Sequence, residues 1–137
     1  MIEFNSQNEF SLDNPKAHSQ WIINIAEEEG FEIDGLSYVF CSDEFLLDLN
    51  MKYLDHDTLT DIITFDYSTG QLLNGEIYIS TDRVLENAGQ FNVAFEMELH
   101  RVMAHGILHL CGFKDKSDVE KKTMRGKEDY YVDLYSA

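Results

Sequence analysis

Asn74-Gly-Glu-Ile-Tyr-Ile-Ser-Thr-Asp82 passes from a turn through a strand into a helix within nine residues. Asn-Gly is turn chemistry, Glu76–Ser80 alternates as a half-buried strand does, and Thr81 or Asp82 opens a short helix ending near Gly89. Downstream, apolar residues at helical spacing predict a long helix from about Ala94 to Leu110. Ser117-x-x-Glu120 is then a capping box for a last helix running toward Tyr131. Upstream, a turn at Gly70 joins a strand through Ile62, Ile63 and Phe65, and an acidic loop, Asp55–Thr60, precedes it. Ser42 caps a helix with Asp43 and Glu44 in its first turn and Phe45, Leu46, Leu49 and Tyr53 on its expected buried face. Leu36–Cys41 reads as a strand. Before it, Asn14-Pro15 opens a helix through Trp21, Ile22, Ile25 and Ala26 that Gly30 stops. A short opening strand falls near Ile2–Asn5. Strands and helices interleave with no linker between them. The expectation is a single α/β (α+β) domain over residues 1–137, a small mixed four-stranded sheet flanked by about five helices.

At 137 residues and 44% hydrophobic composition, the chain can bury one core and is neither disordered nor a repeat array. No apolar run approaches the ~18 residues of a spanning helix, and the N-terminus lacks a basic, then apolar, leader. With only Cys41 and Cys111, no disulfide framework is built. These features point to a cytoplasmic protein with no membrane partner. The net charge of −16 counts against a nucleic-acid partner until its distribution is read. Residues 1–99 carry 3 basic and 20 acidic side chains, whereas residues 100–137 carry 7 and 6. The cations Lys114, Lys116, Lys121, Lys122, Arg125 and Lys127 directly follow the most suggestive stretch of the chain. They suit either a solvated helix face or a polyanionic substrate.

That stretch is His100-Arg-Val-Met-Ala-His105-Gly-Ile-Leu-His109. His105 and His109 are i, i+4, so both imidazoles leave one face of a helix, as a helix offers two nitrogens to zinc. A straight helix cannot wrap an ion, so a third ligand must come from beyond it. Gly112 can bend the chain, and Asp115, ten residues past His105, can swing back. Three protein ligands leave a position for water, the catalytic arrangement. The same pair on an apolar helix also suits core histidines with satisfied rings. Gly106 stands where HExxH proteases carry their glutamate base, so a protease of that type is disfavoured and the water must be activated by the metal itself. His100 points off this face, His18 and His56 suit surface or core, and Cys111 suits a buried thiol.

His105-Gly-Ile-Leu-His-Leu-Cys-Gly-Phe113 resembles the HGxLHLxGYDH signature of the YbeY family. Asn50-x-x-Tyr53 and Thr60-Asp-Ile-Ile-Thr-Phe65 resemble its N-x-x-Y/F and TDVLSF blocks. Gly75-Glu-Ile-Tyr-Ile79, Glu98-Leu-His-Arg101 and Met124-x3-Glu128 resemble further segments, so the likeness runs from about Asn50 onward. It implies a zinc-dependent endoribonuclease that cuts single-stranded rRNA, with roles in maturation of the small-subunit 16S rRNA 3′ end and in ribosome quality control. The ribosome, or a ribosomal protein, is the implied partner.

On this reading His105, His109 and Asp115 hold one Zn²⁺, whose water attacks a phosphodiester, and Lys114 and Lys116 hold the RNA backbone. Thr60 and Asp61 order contacts behind the ligands or cap a turn. Two positions depart from the family. Its third ligand is usually histidine, here Asp115, whose charge makes the ion a weaker Lewis acid. Its usual arginine, engaging substrate, is here Leu54. Arg101, one turn before His105, is the candidate catalytic cation in its place, or else a structural ion-pair partner of the acidic N-terminal region. Two other functions stay open: a metal-stabilised, ribosome-associated binding module without turnover, and a hydrolase of another substrate on the same metal site.

Overall fold

The computed structural model describes residues 1–56 and 58–136. Asp57, in the expected acidic loop, and Ala137, at the end of the expected domain, lie outside the described residues. The strands are β1 (Ile2–Ser6), β2 (Glu32–Cys41), β3 (Ile62–Asp66) and β4 (Leu72–Ser80). The helices are α1 (Pro15–Glu28), α2 (Asp43–Leu54), α3 (Thr81–Phe91), α4 (Phe95–Leu110) and α5 (Asp118–Ser136). The sheet has the order β1-β2-β4-β3. β1 and β4 run parallel to β2, and β3 pairs antiparallel with β4, so the sheet is mixed as expected.

Most boundaries agree with the sequence, and the differences have physical causes. β2 starts at Glu32 rather than Leu36, because a bulge between Ile33 and Gly35 interrupts the alternation that marks a strand. Asn14 precedes α1, but in the left-handed region at φ 51°, with no side-chain cap bond. Ser42 caps α2 as expected, accepting from the Phe45 amide at 3.2 Å. The Ser117–Glu120 capping box forms reciprocally, at 3.1 and 2.9 Å. Tyr53, expected on the buried face of α2, is 59% exposed. Helix α2 covers only a corner of the sheet, where Leu46 packs with Cys41 and Ile63. Asn50 is its buried residue one turn from Leu46, donating from Nδ2 to the Thr58 carbonyl at 2.9 Å.

The main core lies on the other face, where Leu36, Tyr38, Phe40, Leu73, Ile77 and Ile79 meet α1, α4 and α5. Helix α4 is buried on nearly every side. It sits so close to the sheet that a Cβ at Gly106 would lie 2.9 Å from Ile77 Cγ2 and 3.1 Å from Ile62 Cδ1. Neither neighbour yields easily, because Ile77 is β-branched on the central strand. Gly106→Ala is therefore expected to lower the unfolding free energy by about 1–3 kcal/mol in urea denaturation. An unchanged midpoint would show that α4 rides higher on the sheet.

His18 and His100 are both buried, and their Nε2 atoms lie 3.0 Å apart. His18 Nδ1 faces the Asn14 carbonyl at 3.1 Å and must donate to it. Its Nε2 then accepts from His100. Burial, aided by His18, holds the His100 pKa down to about 4. Both histidines belong to the core that anchors α4, which leaves His105 and His109 for the face beyond.

Candidate active site

A cleft of about 860 Å³ opens between the end of α2, the start of β3, α4 and α5. Asn50, Leu54 and His56 line one side, Asp61, Ile62 and Thr64 the floor, and His105, His109, Asp115, Arg125 and Glu128 the other side. Helix α4 delivers the two histidines from one face, with ring centroids 6.4 Å apart and planes within 7° of parallel. Gly112, at φ 101°, makes the bend that a side chain would resist. The chain then returns Asp115 so that its Oδ2 lies 3.3 Å from His105 Nε2.

On its other side, His105 Nδ1 lies 2.7 Å from Glu128 Oε2. A carboxylate at Nδ1 fixes that nitrogen as the protonated one and leaves the Nε2 lone pair facing Asp115, the usual support for a metal-ligating imidazole. Burial opposes charging the ring. The hydrogen bond to Glu128, with the charges of Asp115 and Asp61, outweighs burial and holds the His105 pKa above the usual imidazole value.

Two nitrogens and a carboxylate oxygen are suitable donors for zinc. The 3.3 Å between His105 Nε2 and Asp115 Oδ2 matches the edge of a tetrahedron with bonds of about 2.0–2.2 Å. His109 stands beside this pair with its ring parallel to His105, not turned toward a shared point. Among the described residues, no three His, Cys, Asp or Glu side chains are already drawn into the geometry of an ion site. In donor type and in one edge, the residues fit a metal.

Arg101 lines the cleft but is engaged on every side. Its Nη2 lies 2.7 Å from Asp129, its Nη1 3.4 Å from Glu128 and its Nε 3.9 Å from Glu98. The cation expected to meet substrate is thus a clamp between α4 and α5. Its partners are carboxylates of those two helices rather than the N-terminal region. Lys116 lines the cleft, whereas Lys114 is exposed beside it. Leu54 presents an apolar, 44% exposed side chain to the cleft. Thr60 Oγ1 donates to the Ile62 carbonyl at 3.4 Å, a local cap. Burial pushes the Asp61 carboxyl pKa up, and His105 offsets this only in part. Cys111 is half-buried, its thiol pushed up to about 12 by burial, as expected of an inert thiol.

The roles of Glu128 and Glu98 are not foreseen from the sequence, whereas Arg125, one of the cations suited to a polyanionic substrate, and His56, expected at the surface or in the core, both line the cleft. Glu128 carried a signal. Met124, Glu128, Tyr131 and Val132 are buried at i, i+4, i+7 and i+8 on α5, so a glutamate occupies a core position. Such a residue is seldom buried without a partner.

A family model described as "Endoribonuclease YbeY" matches residues 1–136. The chain belongs to the YbeY family of endoribonucleases. Curated relatives bearing the same description include one from Flavobacterium johnsoniae, 50% identical over 98% of this chain and 97% of its own length. Another, from Christiangramia forsetii, is 49% identical over 98% and 94%. The solution structure of TM1509 from Thermotoga maritima superposes with a TM-score of 0.69 at 29% identity, covering 98% of this chain and 89% of that one. The family's fold is therefore that of the present sheet and helices. No helix among the described residues is long and apolar enough to cross a membrane.

Proposed function

We propose that this member of the YbeY family is a zinc-dependent endoribonuclease specific for single-stranded RNA. In this reading it acts in the cytoplasm on ribosomal RNA, in 16S rRNA 3′-end maturation and ribosome quality control. The observation that supports it best is the Glu128–His105–Asp115 line, in which a buried carboxylate holds an imidazole with its free nitrogen toward a second carboxylate. His105, His109 and Asp115 would hold one zinc ion, which when bound supplies an acidic water and neutralises charge on a phosphodiester. Glu128 keeps His105 in the ligating tautomer, and Arg101 holds Glu128 in place. Asp61, on the cleft floor, takes the proton that the nucleophile loses, at a carboxylate oxygen whose affinity for it is raised by burial. Lys116, with Lys114 at the rim, holds the RNA backbone. A strand without a partner suits the site because its backbone can bend into a cleft of this size, whereas a duplex is stiff.

The experiment is cleavage of a fluorescent single-stranded fragment of small-subunit rRNA and of the same fragment annealed to its complement. Each is run with added zinc and with a chelator. The single strand is expected to be cut with zinc and spared with chelator, and the duplex spared in both. Cleavage that persists in chelator removes the metal from the reaction. Binding of the single strand without cleavage, by protein that holds zinc, would favour the ribosome-associated module. The apolar Leu54 in the cleft is the observation in favour of that second reading.

A further inference from the structure

A cleft that takes RNA needs a cation free to leave its protein partner. Two arginines line it. Arg101 is only 20% exposed and is held by three carboxylates, the nearest at 2.7 Å. Moving it onto a phosphate would strip Glu128 of a partner and unlock α4 from α5. Arg125 is 54% exposed, and among the described residues it reaches a carboxylate only in one long approach, Nη1 to Glu128 Oε1 at 3.6 Å. A pair that long and that exposed contributes little to the fold. Glu128, when Arg125 departs, keeps His105 at 2.7 Å and Arg101 at 3.4 Å, so no buried charge is left bare. Lys121 stands one turn earlier on the same side of α5, at i−4, and continues the positive row away from the cleft. The opposite side carries Leu54, which offers a phosphate nothing.

We propose that Arg125 is the arginine that grips the RNA backbone in this cleft, exchanging Glu128 for a phosphate beside the His105–Asp115 pair. The inference rests on the endoribonuclease reading and adds to it the residue through which an acidic protein holds a polyanion. Arg125 suits the task because its planar guanidinium can meet two phosphate oxygens at once. It also projects from the helix that carries Glu128, so substrate binding and the support of His105 share one element.

The test is fluorescence anisotropy of a short single-stranded RNA with metal-free protein in a His109→Ala background, where the strand survives. Arg125→Ala in that background is expected to weaken binding about tenfold, the size of a lost charged hydrogen bond. The slope of log K against log salt should fall by about 0.7, one phosphate contact on a single strand. Arg125→Lys should keep the slope and recover part of the affinity. Lys16→Ala on α1 removes the same charge outside the cleft and should leave the slope alone. Thermal melts should not change, because a merely structural Arg125 would show there instead. Equal affinity and slope for Arg125→Ala, with a parent that binds and a wild type that cleaves, overturns the assignment alone. A parent that does not bind and a wild type that does not cleave overturn the endoribonuclease reading and this assignment with it.

Discussion

His109→Ala, purified beside the wild type and supplied with zinc, is expected to cut single-stranded rRNA on the order of 10³-fold more slowly. The estimate follows from several kcal/mol of charge stabilisation lost with the metal. His109 is exposed on α4, so its loss removes a donor without opening the core. Circular dichroism, and the melting midpoint taken in chelator, should match the wild type, while bound zinc, measured on the purified protein, should fall. That combination separates loss of a ligand from loss of the fold. A variant that keeps both zinc and activity would remove His109 from the site. Equal activity in both preparations that disappears on further purification would trace the signal to a contaminating nuclease.

Asp61→Asn is expected to lower kcat by about 10²–10⁴-fold, the usual contribution of a positioned proton acceptor. KM should change much less, because a carboxylate does not attract phosphate. The effect on stability should run the other way. The Asp61 pKa is raised in the folded protein by burial, so folding favours the protonated form. At neutral pH the ionised group therefore costs stability, and a neutral isostere relieves that cost. A melting midpoint that holds or rises while kcat collapses marks a residue kept for chemistry at the expense of the fold. If kcat survives, Asp61 is a structural residue of the turn before β3 and the proton leaves by another route.

The parts of this protein that the sequence made legible are those whose physics is local. The i, i+4 histidines, the bend at Gly112 and the return of Asp115 all lie within eleven residues, and the structure brings His105 and Asp115 to 3.3 Å. The caps at Ser42 and Ser117 are equally short-range and both form. What escaped depends on elements that meet late in the chain. Glu128 reaches His105 only because α5 docks on α4, 23 residues further on. Arg101 has the right spacing for a free cation, yet its state is set by Asp129 and Glu128 on that same helix. Tyr53 failed for a related reason. Helical periodicity says which residues share a face, but not how far the neighbouring sheet extends beneath it. Beyond Leu46, it is the polar Asn50, not the aromatic, that α2 buries.

The sheet order leaves β3 at a margin, and its register with β4 decides what that margin presents. The Ser80 amide donates to the Asp61 carbonyl and the Tyr67 amide donates to the Asn74 carbonyl, so the backbone groups of the odd-numbered residues of this stretch face β4. The amides and carbonyls of Ile62, Thr64 and Asp66 consequently point away from the sheet, an invitation to any extended chain. The invitation is narrow. β3 is five residues long, Asp61 and Asp66 stand at its ends, and the Thr60 hydroxyl already occupies the Ile62 carbonyl. Two copies meeting along this margin would each bring a chain of net charge −16 to the other. Self-recruitment into a shared sheet, and the aggregation that follows from it, is thereby opposed at the strand that floors the cleft.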